Sequence, residues 1–305
     1  MKAVILGAGY GTRLQRDVLA DTTGRFAHLA HVAKPLLPVG RCPLSSRWIH
    51  ALTVSGSVDT IYVVTNALYL RAFEEWATNF TNVQILSDQT ASNDQRLGAV
   101  ACLQLAVKHF NIEDHVIVIG GDTLFKEDFS LRKVKERFSD VQSKCEDSCL
   151  VLSYQCRDEG EVNKAVHVSN ISRGFASSSQ LVLYFMFACS ETQKYGILEA
   201  DTDLRVLCMK EKPLPSETKS RRACPCFYVF SKRSLPLLDT FLEEKKDAPI
   251  TEKDAPGNFV SWLIPRKPVY IQEISGRFDV GNLPSYVECD LYFKEKLQDV
   301  ESYMV

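Results

Sequence analysis

The sequence predicts an α/β fold, with a mostly parallel or mixed central sheet carrying helices on both faces. Three observations point there. The apolar run Lys2-Ala3-Val4-Ile5-Leu6 passes directly into Gly7-Ala8-Gly9-Tyr10-Gly11, the pattern of a buried strand feeding a tight loop. Short apolar runs then alternate with longer helical patterns through the first half. From about Cys149 the chain turns strand-rich, which argues for a mixed sheet.

Taken in order, Ala3 to Leu6 reads as a strand, Leu44 to Val54 as a helix and Ile61 to Thr65 as a strand. Leu68 to Trp76 is helical, Val83 to Leu86 a strand, Gly98 to Phe110 helical and Val116 to Ile119 a strand. This βαβ series places ligands at the carboxyl ends of the strands, where the Gly7 loop and Gly120-Gly121-Asp122 both fall. In the second half Leu150 to Gln155, Leu181 to Ala188, Leu204 to Met209, Phe227 to Phe230 and Val269 to Ile274 read as strands, and Ser231 to Leu242 and Pro284 to Leu297 as helices. No Gly/Ser linker or repeat divides the chain, so residues 1–305 are expected to form a single domain of two halves, 1–148 and 149–305.

Composition narrows the class. With 305 residues, 45% of them hydrophobic, the chain can bury a sizeable core. A net charge of −2 with dispersed Lys and Arg gives no footprint for nucleic acid or a membrane surface. Ten cysteines without a repeating frame, and a strand where a secretory leader would stand, suggest a reduced, cytoplasmic protein. Cys145 with Cys149, and Cys224 with Cys226, lack a second pair at zinc-site spacing. The apolar run Leu181 to Cys189 is about half the length a bilayer requires.

The loop carries the chemistry. Its three glycines permit positive φ and let backbone N–H groups approach an anion, and Arg13 offers a guanidinium fork to phosphate oxygens, so a nucleotide is the expected ligand. A dinucleotide fingerprint needs a further glycine at the helix start and an acid about 20 residues on, and neither is present. A Walker A loop needs Gly-Lys-Ser/Thr, also absent. Asp122 follows the run Val116 to Gly120, and Asp279 follows Val269 to Ile274; two carboxylates presented past strand ends suit Mg²⁺, a hard ion that takes oxygen ligands.

Gly9-Tyr10-Gly11-Thr12-Arg13-Leu14 followed by Lys34-Pro35-Leu36-Leu37-Pro38-Val39 resembles the signature of the sugar nucleotidyltransferases, the NDP-sugar pyrophosphorylases. Further matches are Gly121-Asp122-Thr123, Lys194-Tyr195-Gly196, Glu211-Lys212-Pro213 and Phe278-Asp279-Val280-Gly281-Asn282, in the family's order and spread over nearly the whole chain. The resemblance implies a Rossmann-like fold of the nucleotide-diphospho-sugar transferase type, with a nucleotide-binding half before Cys149 and a sugar-phosphate half after it. It implies Arg13 and Lys34 as catalytic cations, Asp122 and Asp279 as Mg²⁺ ligands, and Leu6, Gly7, Ala8, Gly9, Gly11 and Thr12 around the nucleotide. Gly98 and an amide, nearest by spacing Asn93, with Gln89 and Gln95 also available, would read the base. Tyr195, Gly196, Glu211, Lys212 and Lys245 would hold the sugar phosphate.

The reaction implied is nucleotidyl transfer from an NTP, dTTP or UTP favoured, to a sugar 1-phosphate, glucose 1-phosphate favoured. Tailless glucose-1-phosphate thymidylyltransferases are the closest type, since the helix ending near Val305 leaves no room for a β-helix domain. A homo-oligomer is expected on resemblance alone. Two alternatives stand beside this reading: a cytidylyltransferase acting on phosphocholine or another alcohol phosphate, and a non-catalytic homologue that binds NDP-sugar and regulates a partner. The sequence also departs from the pattern. Gln15 to Ala33 is an insertion, expected as an exposed loop or a lid; Thr123 replaces an amide, Cys226 a glycine, and Lys245 an arginine.

Overall fold

The computed structural model describes residues 1–126, 129–156, 192 and 194–302. Among these, ten strands form one central sheet. Its parallel part comes from the first half: β1 (Lys2–Leu6), β4 (Thr60–Thr65), β5 (Val83–Ser87) and β6 (Val116–Gly120), with β1 between β6 and β4 and β5 outermost. The second half adds β8 (Cys149–Gln155), β9 (Gly196–Ala200), β10 (Val206–Glu211), β11 (Arg222–Cys224), β12 (Phe227–Phe230) and β13 (Val269–Glu273). Of these, β12 runs antiparallel to both β6 and β8, so it joins the two halves, while β13 lies parallel to β8. Two small ribbons complete the strands: β2 (Pro38–Val39) with β3 (Cys42–Pro43), and β7 (Thr123–Phe125) with β14 (Arg277–Asp279).

The strands are apolar on both faces because both are covered. Along β1, Ala3 and Ile5 face one core and Val4 the other, and β4 and β6 alternate the same way. The first core is closed by α1 (Thr12–Leu19), α2 (Leu44–Val54), α3 (Leu70–Ala77), α5 (Leu131–Lys144) and α8 (Leu283–Ser302). The second is closed by α4 (Ala99–His109), α6 (Leu237–Glu244) and α7 (Pro256–Leu263).

Several expectations are corrected in detail. The segment after Leu14 is no plain exposed loop: Thr12 to Leu19 is helical, and Val18, Leu29 and Ala33 are buried in the first core. Burying Val18 and Leu29 stabilises by about 1.5–3 kcal/mol each, which favours an ordered segment. The region Ser231 to Leu242 is a short 3-10 turn, Lys232–Ser234, followed by α6. Asp279 does not follow the preceding strand directly; it ends a separate short strand, β14. The expected strand Leu181 to Ala188 lies outside the described residues. No helix among the described residues is long and apolar enough to cross a membrane, and the described cysteines are all free thiols.

Candidate active site

At the carboxyl ends of the parallel strands lies a cleft of about 340 Å³, lined by Leu6, Gly7, Ala8, Gly9, Gly11, Lys34, Asn93, Gly98 and Asp122 of the expected site, together with Pro35, Asp88, Arg96, Ala99, Cys102, Gly120, Gly121, Cys226 and Asp254. The strand order generates it. Backbone bonds Gly7 N to Val64 O (2.8 Å) and Gly121 N to Leu6 O (3.0 Å) tie the first loop between the ends of β4 and β6. Gly121 is required by close approach, because a Cβ there would stand 2.7 Å from Leu6 O and from Pro35 Cγ. Asn66 donates its side-chain amide to Ala8 O at 2.9 Å, fixing the outer side of the loop. Of the loop glycines only Gly11 is left-handed, at φ 63°, where it caps α1.

Lys34 enters from a 3-10 turn, its stem packed along Gly11 and its Nζ 3.3 Å from Asp122 Oδ2. Thr12 and Arg13 are exposed on the first turn of α1, and Arg13 has no ion pair among the described residues. The second acid approaches through the small ribbon: Asp279 is paired in register with Thr123, and Val280 N donates to Asp122 O at 3.0 Å. The ribbon thus makes the two acids neighbours, although Asp279 itself does not line the cleft. Trp48 anchors it from below, donating Nε1–H to Thr123 O at 2.7 Å within a cluster of Phe125, Phe129 and Phe227.

Beside the ribbon, Tyr195 Oη donates to Asp279 Oδ2 at 3.3 Å. Arg277, which sequence reasoning left without a role, sits buried between them. Its Nη2 is 3.1 Å from Asp279 Oδ2, its Nη1 donates to Thr123 Oγ1 at 3.1 Å, and its guanidinium carbon lies 4.1 Å from the Tyr195 ring centroid. Burial opposes the charge, but Asp279 and Tyr195 outweigh it and hold Arg277 firmly protonated. Its Nε is buried without an acceptor among the described residues. Glu211 packs against Gly196 and Gly257, since a Cβ on either glycine would crowd its carboxylate. Burial pushes the Glu211 carboxyl up, with Lys212, whose Nζ lies 3.8 Å from Oε1, acting against this. Burial and the nearby Asp122 push the Cys226 thiol up to about 12, so it stays neutral in the cleft wall. Lys245 is not brought to the cleft; it ends α6 with its Nζ 3.0 Å from Glu252.

At the opposite end, Asp254 was also missed. It accepts from Ala99 N at 3.0 Å and Arg96 Nε at 3.2 Å, capping the start of α4 from 155 positions away in sequence. Gly98 before it has φ 93°, a conformation reserved for glycine, and a Cβ would lie 2.9 Å from Asp254 Cα. Asn93 is exposed on the rim, and Gln89 and Gln95 are exposed as well. The sequence held one signal for Asp254, an acid two residues before a helix-initiating proline, but nothing local tied it to Gly98.

Comparison with known proteins bears on this arrangement. The profile of the nucleotidyl transferase family matches residues 2–161 and 162–296. The chain belongs to that family. Within this nucleotidyl transferase the sequence is 30% identical over 132 residues to a Sulfolobus acidocaldarius protein named as a mannose-1-phosphate guanyltransferase. That match spans 43% of this chain and 32% of the relative, so the chain aligns with about a third of that protein. The fold is similar to a solved structure described as a glucose-1-phosphate thymidylyltransferase of Bacillus anthracis in complex with a sucrose, with TM-score 0.66, 19% identity and 96% and 95% of the two chains covered. It is also similar to an apo UDP-glucose pyrophosphorylase, with TM-score 0.68, 16% identity and 97% and 98% covered. These likenesses establish the Rossmann-like NDP-sugar transferase fold with its mixed sheet.

Proposed function

We infer that the protein transfers a nucleotidyl group from a nucleoside triphosphate to a sugar 1-phosphate, giving an NDP-sugar and pyrophosphate. One observation carries the reading: a glycine loop, Lys34 and Asp122 line one cleft, and a short ribbon ties Asp279 to the strand beside Asp122. A phosphate oxygen of the sugar 1-phosphate attacks the α-phosphorus, the bond from that phosphorus to the β-phosphate bridging oxygen breaks, and pyrophosphate carries the electron pair away. The protein need supply little covalent chemistry, so positioning and charge stabilisation dominate. Lys34 and Arg13 offset charge on the triphosphate, and the loop backbone admits it. Tyr195, Gly196, Glu211 and Lys212 form the acceptor side with glucose 1-phosphate as the working substrate, and Arg277 orients Asp279 there. Lys245 has no part in it.

The donor set fits Mg²⁺. Asp122 and Asp279 offer hard carboxylate oxygens on adjoining strand ends, and among the described residues no group of three or more His, Cys, Asp or Glu forms a closed metal site. Asp122 and Asp279 would hold the ion, which when bound would neutralise charge on the reacting phosphates. Retention of Lys34 and both acids supports turnover over a purely ligand-binding role, and the Tyr195-Gly196 and Glu211-Lys212-Pro213 elements, which resemble the family's sugar-side motifs, support a sugar phosphate over phosphocholine.

The test is pyrophosphate release from purified protein with Mg²⁺, each NTP and a panel of sugar 1-phosphates plus phosphocholine. Release with a sugar 1-phosphate is expected. Release with phosphocholine alone, or tight NDP-sugar binding with no release from any pair, would overturn the reading.

A further inference from the structure

The base-binding end of the cleft holds a carboxylate where the sequence led us to expect an amide. Past the carboxyl ends of β6, β1, β4 and β5 stand, in spatial order, Asp122, the glycine loop, Asn66 and Asp88. Adjacent strands lie about 4.8 Å apart, so Asp88 is roughly 14 Å across the sheet from the Asp122 end. With the phosphates at Lys34 and Asp122, that distance leaves room for a ribose, and the base falls among Asp88, Gly98, Ala99 and Cys102.

Asp88 is 7% exposed and lines the cleft. Its two oxygens are used unequally. Oδ1 accepts from both Thr90 N and Thr90 Oγ1 at 2.8 Å, and Thr90 Oγ1 is shared with Tyr10 Oη at 2.8 Å. Among the described residues Oδ2 receives only the thiol of Cys102 at 3.7 Å, a weak donor. No Lys, Arg or His among the described residues pairs with this carboxylate. A buried carboxyl oxygen so placed is costly to leave short of donors. The neighbouring acid cannot serve in its place, because both Asp254 oxygens are already taken by Ala99 and Arg96.

We propose that Asp88 selects the base of the triphosphate and favours guanine. Guanine presents its ring N1–H and exocyclic amino group side by side, two donors with no acceptor between them. In uracil and thymine the single ring N–H is flanked by carbonyl oxygens, which a carboxylate repels. Adenine and cytosine set one amino group beside a ring acceptor and fall in between. The inference rests on the cleft being the nucleotide site of the proposed reaction, and it replaces the pyrimidine expected from the resemblance with a purine.

The experiment is calorimetric titration of the full-length protein with GTP, ATP, CTP, UTP and dTTP in Mg²⁺, without acceptor, repeated on Asp88→Asn. That change keeps an oxygen for Thr90 and replaces the free oxygen with a donor. Wild type is expected to bind GTP at least about tenfold more tightly than UTP or dTTP, the scale of one well-made base contact. Asp88→Asn is expected to weaken GTP, strengthen UTP and bring their ratio within about threefold. Wild-type binding of UTP or dTTP as tight as GTP overturns the assignment, with nucleotidyl transfer left standing; so does an unchanged ratio in a folded Asp88→Asn. Failure of every triphosphate to bind overturns both. The wild-type panel decides the matter even if the variant does not fold.

Discussion

Lys34 joins the two functions of the loop: its stem covers Gly11 and its ammonium meets Asp122. Lys34→Met keeps the stem and removes the charge. Turnover in the pyrophosphate assay is expected to fall by about 10²-fold or more, the effect of losing one preorganised electrostatic contact, while the melting temperature changes little, because a partly exposed pair contributes about 0–1 kcal/mol. Glu211 should show the opposite balance. Its folded pKa is raised by burial, so the native state holds the proton more tightly than the unfolded chain, and stability falls as pH rises from the ordinary carboxyl range through the raised value. Glu211→Gln is expected to melt higher than wild type at neutral pH, to flatten that part of the pH profile, and to raise KM for the sugar phosphate. A variant that melts lower than wild type at neutral pH contradicts this. The loop glycines and Asp122 stood out from the residues themselves, as a glycine-rich turn and an acid past apolar strands, whereas Lys34 and Glu211 were singled out only through the family resemblance. Arg277, Asp254 and Asp88 could not be found in the sequence, since part of each one's surroundings comes from elsewhere in the chain: Thr123 and Tyr195 for Arg277, Ala99 and Arg96 for Asp254, and Cys102 for Asp88.

At the scale of elements, two junctions hold the cleft open in the right shape. The first is the start of α4, where Gly98 and Asp254 meet. Gly98→Ala forces a strained φ and a backbone collision, and is expected to cost about 1–3 kcal/mol in chemical denaturation while weakening nucleotide binding. The second is the β7–β14 ribbon. Trp48→Phe leaves the Thr123 carbonyl without its donor, at a cost of about 1–3 kcal/mol, and is expected to lower turnover because Asp122 and Asp279 flank that carbonyl. Strands β1, β4, β5, β6, β8, β10, β12 and β13 were legible as short apolar runs bounded by turn residues, whereas β9 and β11 were not read as strands. Helix α5 is rich in charge along a narrow apolar stripe of Leu131, Val134, Phe138 and Val141, which the pattern reading passed over. Helix α7 is short and largely apolar, with buried Phe259, Val260 and Leu263, so it lacks a polar face to set its period. The ribbon has strands of three residues, too short for any period.

For the whole molecule, the decisive feature is that β12 pairs with β6 on one side and β8 on the other, so one continuous sheet joins strands from both halves of the chain among the described residues. A single cooperative thermal transition is expected, raised as a unit by GTP with Mg²⁺ through binding linkage; two transitions, of which only one responds, would argue for separable halves. The mixed sheet and its position at the chain's midpoint were legible in composition and order, whereas the convergence of positions 122 and 279 rested on resemblance until the ribbon brought them together. That convergence is best tested by a double-mutant cycle on the pyrophosphate-release rate with Asp122→Asn, Asp279→Asn and the pair. If both acids serve one ion and one reacting phosphate, each single variant loses most of the rate and the double variant loses little more. Losses that multiply, or a single variant that turns over at the wild-type rate, would contradict the account.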